Sequence, residues 1–242
     1  MIFKSLISIA LVLIAMMSVA SASTEWNDSF NNLDKIAYSS KLSVSNGDAK
    51  IKALDLNKDG YSDLVFSNAY NGATRNINSY IYWGSASGYS SGNKTELPTH
   101  RAHGKSIADL NNDGYLDIVF SNLQNDATYN LNSYIYWGSE SGFSSGNKTE
   151  LPTIGAHGNS IADLNNDGYL DIVFSNSYND ATPNINSYIY WGSSSGYSSG
   201  NKTELPTHGA RGNSIADLNN DGYLDIVFSN YHNDATTNIN SY

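Results

Sequence analysis

The sequence predicts an all-β protein, a β-propeller of four-stranded blades, and three observations carry this prediction. An acidic stretch of nine residues recurs every 54 residues, at 55–63, 109–117, 163–171 and 217–225. The segment "NSYIYWGS" at 78–85 returns at the same spacing, and so does "SGNKTELPT" at 91–99. No stretch of the repeats shows helical periodicity. A fixed period of this length is typical of architectures that build one supersecondary unit per repeat.

Each repeat contains four segments with the character of a β-strand. In one repeat, "SIADL" (106–110) alternates apolar and polar residues, and "LDIVFSN" (116–122) is rich in β-branched and aromatic residues. "SYIYWG" (133–138) is similar, and "TELPT" (149–153) carries a proline that suits an edge strand. Four strands in 54 residues match a propeller blade. The rungs of a parallel β-helix, the alternative architecture, are shorter.

The number of blades is open between two arrangements. Tyr242 occupies the repeat position of Tyr188, so the given sequence stops inside a predicted strand. In the first arrangement, residues 24–54 complete the last blade and close a ring of four blades. In the second, the chain is a fragment of a larger, for example seven-bladed, ring. We favour the second, because a ring of four blades is tight.

The first 22 residues have the pattern of a secretory signal peptide. Lys4 precedes an apolar stretch at 6–17 that is too short to span a bilayer, and Ala20-Ser21-Ala22 offers small residues for cleavage. We expect cleavage after Ala22, which leaves the repeats within 23–242. The alternative is a retained membrane anchor. The expectation is therefore a secreted, extracellular protein, or a periplasmic or cell-surface one, without membrane insertion after cleavage.

The charge of the chain is concentrated in the repeated acidic stretches. The formal net charge is −10, and each stretch contributes three of the 23 Asp and Glu residues. No basic patch is present, so we expect no nucleic-acid partner. The chain contains no cysteine. An exported protein without disulfides depends on its apolar core, or on bound metal, for stability.

The acidic stretch "DLNNDGYLD" (109–117) has the donor pattern of a calcium loop. Side-chain oxygens fall at positions 1, 3, 5 and 9, the carbonyl oxygen of position 7 adds one more, and Gly114 at position 6 permits a sharp turn. Ca²⁺ takes six to eight oxygen ligands, whereas Mg²⁺ demands a stricter octahedron. An EF-hand would need Glu at position 12, where Phe120 stands, and helices at its flanks.

An ordinary Asx turn also uses Asn, Asp and Gly, but it does not explain Asp at positions 1, 5 and 9 of every copy. We expect about four Ca²⁺ ions per chain, one in each loop. The predicted ligands are Asp55, Asn57, Asp59, Tyr61 and Asp63; Asp109, Asn111, Asp113, Tyr115 and Asp117; Asp163, Asn165, Asp167, Tyr169 and Asp171; and Asp217, Asn219, Asp221, Tyr223 and Asp225.

The repeated D-x-N-x-D-G-x-x-D loop, followed by "DIVFSN", resembles the FG-GAP/VCBS repeat family. That family includes the calcium-loop blades of integrin alpha-subunit propellers and many bacterial secreted proteins. The likeness covers residues 51–242, although Asp126, Asp180 and Asp234 stand where the first copy has Gly72. The resemblance implies propeller blades, calcium in loops between strands, and extracellular recognition.

Two segments vary between otherwise similar repeats and are candidates for partner binding. The first follows "FSN" and contains Tyr70, Arg75, Gln124, Tyr129, Tyr178 and His232. The second reads "HRAH" at 100–103, "IGAH" at 154–157 and "HGAR" at 208–211. Loops on a rigid scaffold are common places for binding surfaces. Neutral drift in exposed loops after duplication would give the same variation.

The functional hypothesis is a secreted calcium-binding recognition or adhesion module for glycans or extracellular protein surfaces. The alternatives are a propeller that forms a catalytic or non-catalytic part of a polysaccharide-degrading enzyme, and a structural spacer of a surface protein. Catalysis needs a constellation that breaks the repeat, and the copies are nearly the same, so we do not expect an enzyme. Side chains alternate along a strand, so Tyr82 and Trp83 lie on opposite sides of theirs, and we expect this repeated pair to place at least one aromatic ring between blades.

Overall fold

The computed structural model describes residues 41–45, 48–52, 54–236 and 240–241. All regular structure in these ranges is β-strand, which confirms the predicted all-β class. No helix in these ranges is long and apolar enough to cross a membrane. The predicted signal peptide lies outside the described residues, and so does most of the segment 24–54 that would close a four-bladed ring.

Two complete blades occupy the middle of the chain, and each is a four-stranded antiparallel sheet whose strands follow one another in sequence order. The second blade consists of β6 (Ala102–Ala108), β7 (Asp117–Asn122), β8 (Asn130–Tyr136) and β9 (Lys148–Ile154). The third consists of β10 (Ala156–Ala162), β11 (Asp171–Asn176), β12 (Asn186–Tyr190) and β13 (Lys202–Pro206). The predicted strands are thus present, and the predicted edge strand with Pro152 is β9.

The flanking blades are described in part. The first has β3 (Leu64–Phe66), β4 (Asn76–Tyr82) and β5 (Lys94–His100), and the fourth has β14 (Ala210–Ala216) and β15 (Asp225–Asn230). A separate hairpin pairs β1 (Lys41–Ser45) with β2 (Asp48–Lys52). By the 54-residue period β2 stands where β6 stands in the second blade, yet the structure pairs it with β1 rather than with β3.

Neighbouring blades pack face to face through the side chains of their second strands. In β7, Ile118 and Phe120 pack on the first blade, whereas Val119 between them packs on the third. All three are fully buried. Because both faces of this strand are covered, its sequence is a continuous apolar run instead of an alternating one. The pattern repeats in β11, which explains why "DIVF" recurs unchanged.

The repeated Tyr-Trp pair packs between blades, as the sequence predicts. Tyr136 is fully buried, and its hydroxyl donates a hydrogen bond of 2.6 Å to the carbonyl oxygen of Pro98 in the first blade. Trp137, the next residue, donates from Nε1 to Thr149 Oγ1 at 3.0 Å, and its ring centroid lies 6.4 Å from that of Tyr197. The Tyr136-Trp137 pair therefore joins the second blade to both of its neighbours.

The first strands of the blades come together around a central axis. A Cβ atom added to Gly104 of β6 would lie 2.8 Å from the Cα atom of Gly158 in β10. A Cβ added to Gly158 would lie 3.3 Å from the Cα of Gly212 in β14. Glycine at this position permits a close approach of backbones that a side chain would prevent.

One face of the first blade is exposed. Phe66 is 42 % exposed, although the equivalent Phe120 and Phe174 are fully buried by the preceding blade. Leu64, Tyr80, Tyr82 and Tyr89 border a shallow cavity on the same face. Among the described residues no sheet covers this face.

The antiparallel order sorts the loops to two opposite ends of the blades. The acidic loops join the first and second strands, and they lie at the same end as the turns between the third and fourth strands. The hydrogen bond from the Gly138 amide to Asp117 Oδ1 connects these two kinds of loop. At the other end lie the loops that follow the second strands and the turns between blades, which meet where the Gly155 amide donates to the Tyr129 carbonyl oxygen.

Candidate metal loops and axial cavity

The four acidic loops share one backbone conformation, in which each loop folds around its own side-chain oxygens. In the second copy, Asp109 at position 1 accepts hydrogen bonds from the amides of Asp113 (3.1 Å) and Gly114 (2.8 Å). Asn111 Oδ1 accepts from the Asp113 amide at 3.0 Å, and Asp113 Oδ1 accepts from the Tyr115 amide at 2.8 Å. The same bonds recur in the other three copies.

Two positions of each loop lie in the left-handed region. Position 4 has φ of 61° at Lys58 and 57° at Asn112, and position 6 has φ of 89° at Gly60 and 87° at Gly114. Asn tolerates this region and Gly favours it, so the "NDG" sequence fits the turn that the loop makes. The sharp turn predicted at the glycine of position 6 is present in all four loops.

The Asp at position 9 anchors the loop in the core. Asp117 is fully buried, and its two carboxylate oxygens accept hydrogen bonds from the amides of Leu110 (2.8 Å) and Gly138 (2.9 Å). Asp63 and Asp171 make the equivalent pairs of bonds. The pKa of Asp117 is raised to about 7. Burial is the main cause and the charges of Asp113 and Asp109 add to it, whereas the hydrogen bonds from the two amides act in the opposite direction.

The donor set of the loops is compatible with a hard cation. The side chains at positions 1, 3, 5 and 9 all offer oxygen atoms as ligands. A carboxylate oxygen that accepts one amide hydrogen bond still has a second lone pair, which can bind a cation. In the described part of the chain, no group of three or more His, Cys, Asp or Glu side chains stands in a metal-holding arrangement. Asp109 and Asp113 nevertheless lie on one tight turn, because the Asp113 amide donates to Asp109 Oδ1 at 3.1 Å and the Tyr115 amide donates to Asp113 Oδ1 at 2.8 Å.

The predicted ligands divide by exposure. The side chains at positions 3 and 5 are exposed in every copy, position 1 is half-buried, and position 9 is buried in the first three copies. At position 7 the tyrosine side chain lies outside the loop. The ring of Tyr115 has Lys58 Nζ of the neighbouring loop 3.9 Å from its centroid, whereas Tyr223 is 68 % exposed.

A further set of aspartates, which the sequence analysis did not recognise as functional, joins each blade to the next. Asp180 accepts hydrogen bonds from Thr128 Oγ1 (2.5 Å), the Tyr129 amide (3.0 Å) and Asn130 Nδ2 (3.2 Å) of the preceding blade. Asp126 accepts the equivalent three bonds from Thr74, Arg75 and Asn76. Asp234 accepts only two, from Thr182 Oγ1 and Asn184 Nδ2, because Pro183 has no amide hydrogen. We call these three residues the inter-blade aspartates. The sequence signal was the Asp that replaces Gly72 in the later copies.

The six predicted partner-binding residues fall into two groups. Tyr70 is 57 % exposed, and Arg75 lies 3.9 Å from Asp126 and 5.8 Å from the Tyr70 ring, so these two lie on the outer surface. Tyr129, Tyr178 and His232 instead line one cavity at the central axis. Gln124 adjoins it, because its Oε1 accepts a hydrogen bond of 2.8 Å from Arg101 Nη1.

This axial cavity has a volume of about 410 Å³ and opens at the end of the blades opposite the acidic loops. Arg101, His103, His157 and Arg211 complete its polar lining, and no Asp or Glu is among the lining residues. A second cavity of about 210 Å³ shares His103, His157 and Arg211 and continues along the axis to Lys105 and Asn159. These residues come from the second variable segment and the strands that follow it.

Arg101 occupies a strained position. Its φ is 45°, and the equivalent residues of the next two blades are Gly155 (φ 53°) and Gly209 (φ 56°). A non-glycine residue in this region costs about 1 kcal/mol. The sequence comparison noted the variation here, but the strain becomes visible only with the backbone angles.

Two histidines of the cavity, His103 and His157, have lowered pKa values. The ring centroids of His103 and His157 are 4.5 Å apart. Burial lowers the pKa of His157, and the charges of Arg211 and Arg101 lower it further. His103 keeps part of its ring open to the cavity, yet burial and the neighbouring His157 and arginines lower its pKa as well. The cavity is thus cationic through its arginines.

Comparison with known proteins identifies the repeats. No curated protein is similar to the chain by sequence. The FG-GAP-like repeat family matches three overlapping segments, at residues 55–120, 109–174 and 163–228. Each segment begins at one acidic loop and ends just after the next, so the match follows the 54-residue period and the strands described above. The chain belongs to the FG-GAP-like repeat family, and it is a module built from these repeats.

Proposed function

We propose that the protein is a secreted recognition module whose blades are stabilised by Ca²⁺ in the four acidic loops. The proposal rests on the common geometry of the loops. Every copy has the same ligand oxygens, the same hydrogen bonds and the same backbone angles. An ordinary turn needs only one or two of these residues. The clustered carboxylates repel one another, and a divalent cation would remove this repulsion.

In each loop the ion would be held by the side chains at positions 1, 3, 5 and 9 and by the carbonyl oxygen of position 7. When bound, Ca²⁺ supplies charge neutralisation and a rigid loop. The Asp at position 9 would then connect the ion to the core, because it also accepts two backbone amides. Membership of the FG-GAP-like repeat family supports a role of the extracellular, adhesion type.

The test of the metal proposal is a calorimetric titration of metal-stripped protein with CaCl₂. We expect about four ions per chain, and about three for Asp113→Ala, because each loop carries its own ligands. Glu140→Ala is the matched control, since Glu140 is an exposed acid outside the loops. Binding of one ion or none by the unchanged protein would contradict the assignment.

The location and the partner class have their own tests. If the chain is exported by its signal peptide, N-terminal sequencing of the exported protein should begin at Ser23. A glycan array and an array of extracellular matrix proteins, probed with calcium-loaded protein, should show selective binding to members of one class. Binding to neither would favour a structural spacer. We propose no catalytic activity, and release of reducing ends from polysaccharides would contradict that.

A further inference from the structure

The deeper of the two cavities along the axis contains a buried cation without a counter-ion. Lys105 of β6 is only 8 % exposed and lines the deeper cavity. Within the described residues, no carboxylate lies within 4.0 Å of its Nζ atom; the lysines that have such a partner are Lys94, Lys148 and Lys202. A buried ammonium group without a counter-ion is costly. The cavity therefore lacks a negative group at this point.

The mouth of the cavity adds two further cations. Arg101 and Arg211 both line it, and the guanidinium of Arg211 stacks 3.4 Å above the ring centroid of Tyr231, which fixes its plane. Arginine binds carboxylates through paired hydrogen bonds. The backbone of Arg101 has a left-handed φ, which is strained for arginine but not for the glycines at the equivalent positions. Strain retained at a cavity mouth is typical of a functional residue.

The mouth of the cavity also presents an aromatic surface. The rings of Tyr129 and Tyr178, whose centroids are 5.0 Å apart, line it. A simple oxyanion gains nothing from such a surface, whereas a sugar ring packs its apolar CH groups against aromatic side chains.

We propose that the axial cavity binds a uronic-acid unit of an acidic saccharide, with its carboxylate toward Arg101 and Arg211 and its ring against Tyr129 and Tyr178. This inference deepens the recognition role proposed above and does not depend on calcium. Its position agrees with the charge distribution, because the acidic loops lie at the opposite end of the blades. A carboxylate in this place would compensate the charges of Arg101 and Arg211, neither of which has a carboxylate within 4.0 Å among the described residues.

The experiment is a calorimetric titration of calcium-loaded protein with sodium D-galacturonate. D-galactose lacks the carboxylate, sodium acetate lacks the sugar ring, and the dipeptide Asp-Asp carries carboxylates on a peptide. We expect galacturonate to bind at least tenfold more tightly than each of the three. Equal binding of acetate would reduce the site to a simple anion site and overturn the proposal, and tighter binding of Asp-Asp would do so in favour of a peptide.

Two variants separate ligand binding from folding. Arg101→Gly should raise the melting temperature, because glycine relieves the strain, and should still weaken galacturonate binding at least tenfold. Arg211→Gln should weaken binding by a similar factor. Lys202→Gln is the control, since it removes one positive charge from the outer strand β13, where Lys202 pairs with Glu204. Its affinity should be unchanged.

Unchanged affinity in Arg101→Gly and Arg211→Gln would overturn the site, and so would an absence of galacturonate binding by the unchanged protein. The glycan and matrix-protein arrays test the recognition role separately. The calcium content of the same samples tests the metal loops. The failure of one proposal is thus distinguishable from the failure of the others.

Discussion

Asp117 shows how one residue of the acidic loop serves the core. Its two oxygens accept the amides of Leu110 and Gly138, which are 7 and 21 residues away in sequence. We predict that Asp117→Asn lowers the free energy of unfolding by about 1–3 kcal/mol, because the new NH₂ group faces an amide that needs an acceptor. Denaturation in excess chelator at pH 8 measures this effect without any contribution from bound metal.

Asp225 provides the matched control for that substitution. It is half-buried and has one such bond among the described residues, from the Leu218 amide at 2.9 Å. Asp225→Asn should therefore cost less than Asp117→Asn. Equal losses in the two variants would mean that the second amide bond and the burial of Asp117 contribute nothing.

The axial histidines give a prediction for pH. The pKa of His157 is lowered from 6.5 by burial first, then by Arg211 and Arg101. As pH falls below 6.5, the unfolded chain takes up the proton first, so this contribution to stability is complete above pH 6.5 and is lost as the solution becomes more acidic. His103, Lys105 and His232 also line the two cavities, and none of the lining residues is an acid.

The melting temperature of His157→Gln should consequently fall less between pH 7.5 and pH 5.5 than that of the unchanged protein. Melting curves of both proteins in the same buffers give the comparison. Parallel curves would show that His157 has the same pKa in the folded and unfolded chains.

The sequence identified many of these residues but not their contacts. Asp117 was recognised by its spacing from Asp109 and Asp113, which is local. Its bond to Gly138 was not predictable, because it depends on how the third and fourth strands turn back to the loop. Likewise, the sequence flagged variation at Arg101 and His103 without showing that both lie at one cavity.

At the scale of the strands, the close approach of β6, β10 and β14 makes a sharp prediction. Gly104→Ala would place a Cβ atom 2.8 Å from the Cα of Gly158 and 3.1 Å from the Asn159 amide nitrogen. Both are backbone atoms, which cannot move aside as a flexible side chain can. We expect a loss of about 1–3 kcal/mol in the free energy of unfolding, measured by urea denaturation.

Gly146 is the control for this position. No atom lies within 4 Å of a Cβ added there, and its φ is not positive. Gly146→Ala should change the free energy of unfolding by no more than about 0.5 kcal/mol. If Gly104→Ala were equally mild, the first strands would be further apart than the structure places them.

The strands themselves were predictable because their signals are local. The apolar run of β7, the edge proline of β9 and the turn residues of the acidic loops each reflect one physical requirement. The pairing of β2 was not predictable by the repeat. Its position matches β6, but "DAKIK" (48–52) lacks the "GKSIA" pattern of that strand, and the structure pairs it with β1.

For the whole molecule, calcium should contribute to stability in proportion to the number of loops. Extracellular calcium modules have Kd values on the order of 10⁻⁴ to 10⁻³ M. At ten times Kd, linkage gives about 1.4 kcal/mol per site and roughly 5–6 kcal/mol for four sites. The net stability of a domain is of similar size, and this chain has no disulfide.

Excess chelator should therefore lower the melting temperature markedly, and addition of CaCl₂ beyond the chelator should restore it. A thermal melt with and without chelator is the measurement, and MgCl₂ at the same concentration is the control for ionic strength. An unchanged midpoint would mean that the four loops are ordinary turns.

The repeat architecture followed from the 54-residue period, because identical units pack in identical ways. The period does not determine what covers the outermost faces. Phe66 has the same neighbours in sequence as Phe120, yet it is 42 % exposed while Phe120 is fully buried. The difference depends on the blade that precedes each residue in space, and this is also why the number of blades did not follow from the sequence.

Each complete blade is formed by one continuous stretch of chain, and its contacts with the next blade include the hydrogen bonds of an inter-blade aspartate. Tension applied to the two ends of such a chain acts on one blade after another. When one blade unfolds, it releases about 54 residues, which extend by roughly 180 Å at 3.3–3.6 Å per residue. We therefore expect a force–extension measurement on the purified protein to show steps of about this length.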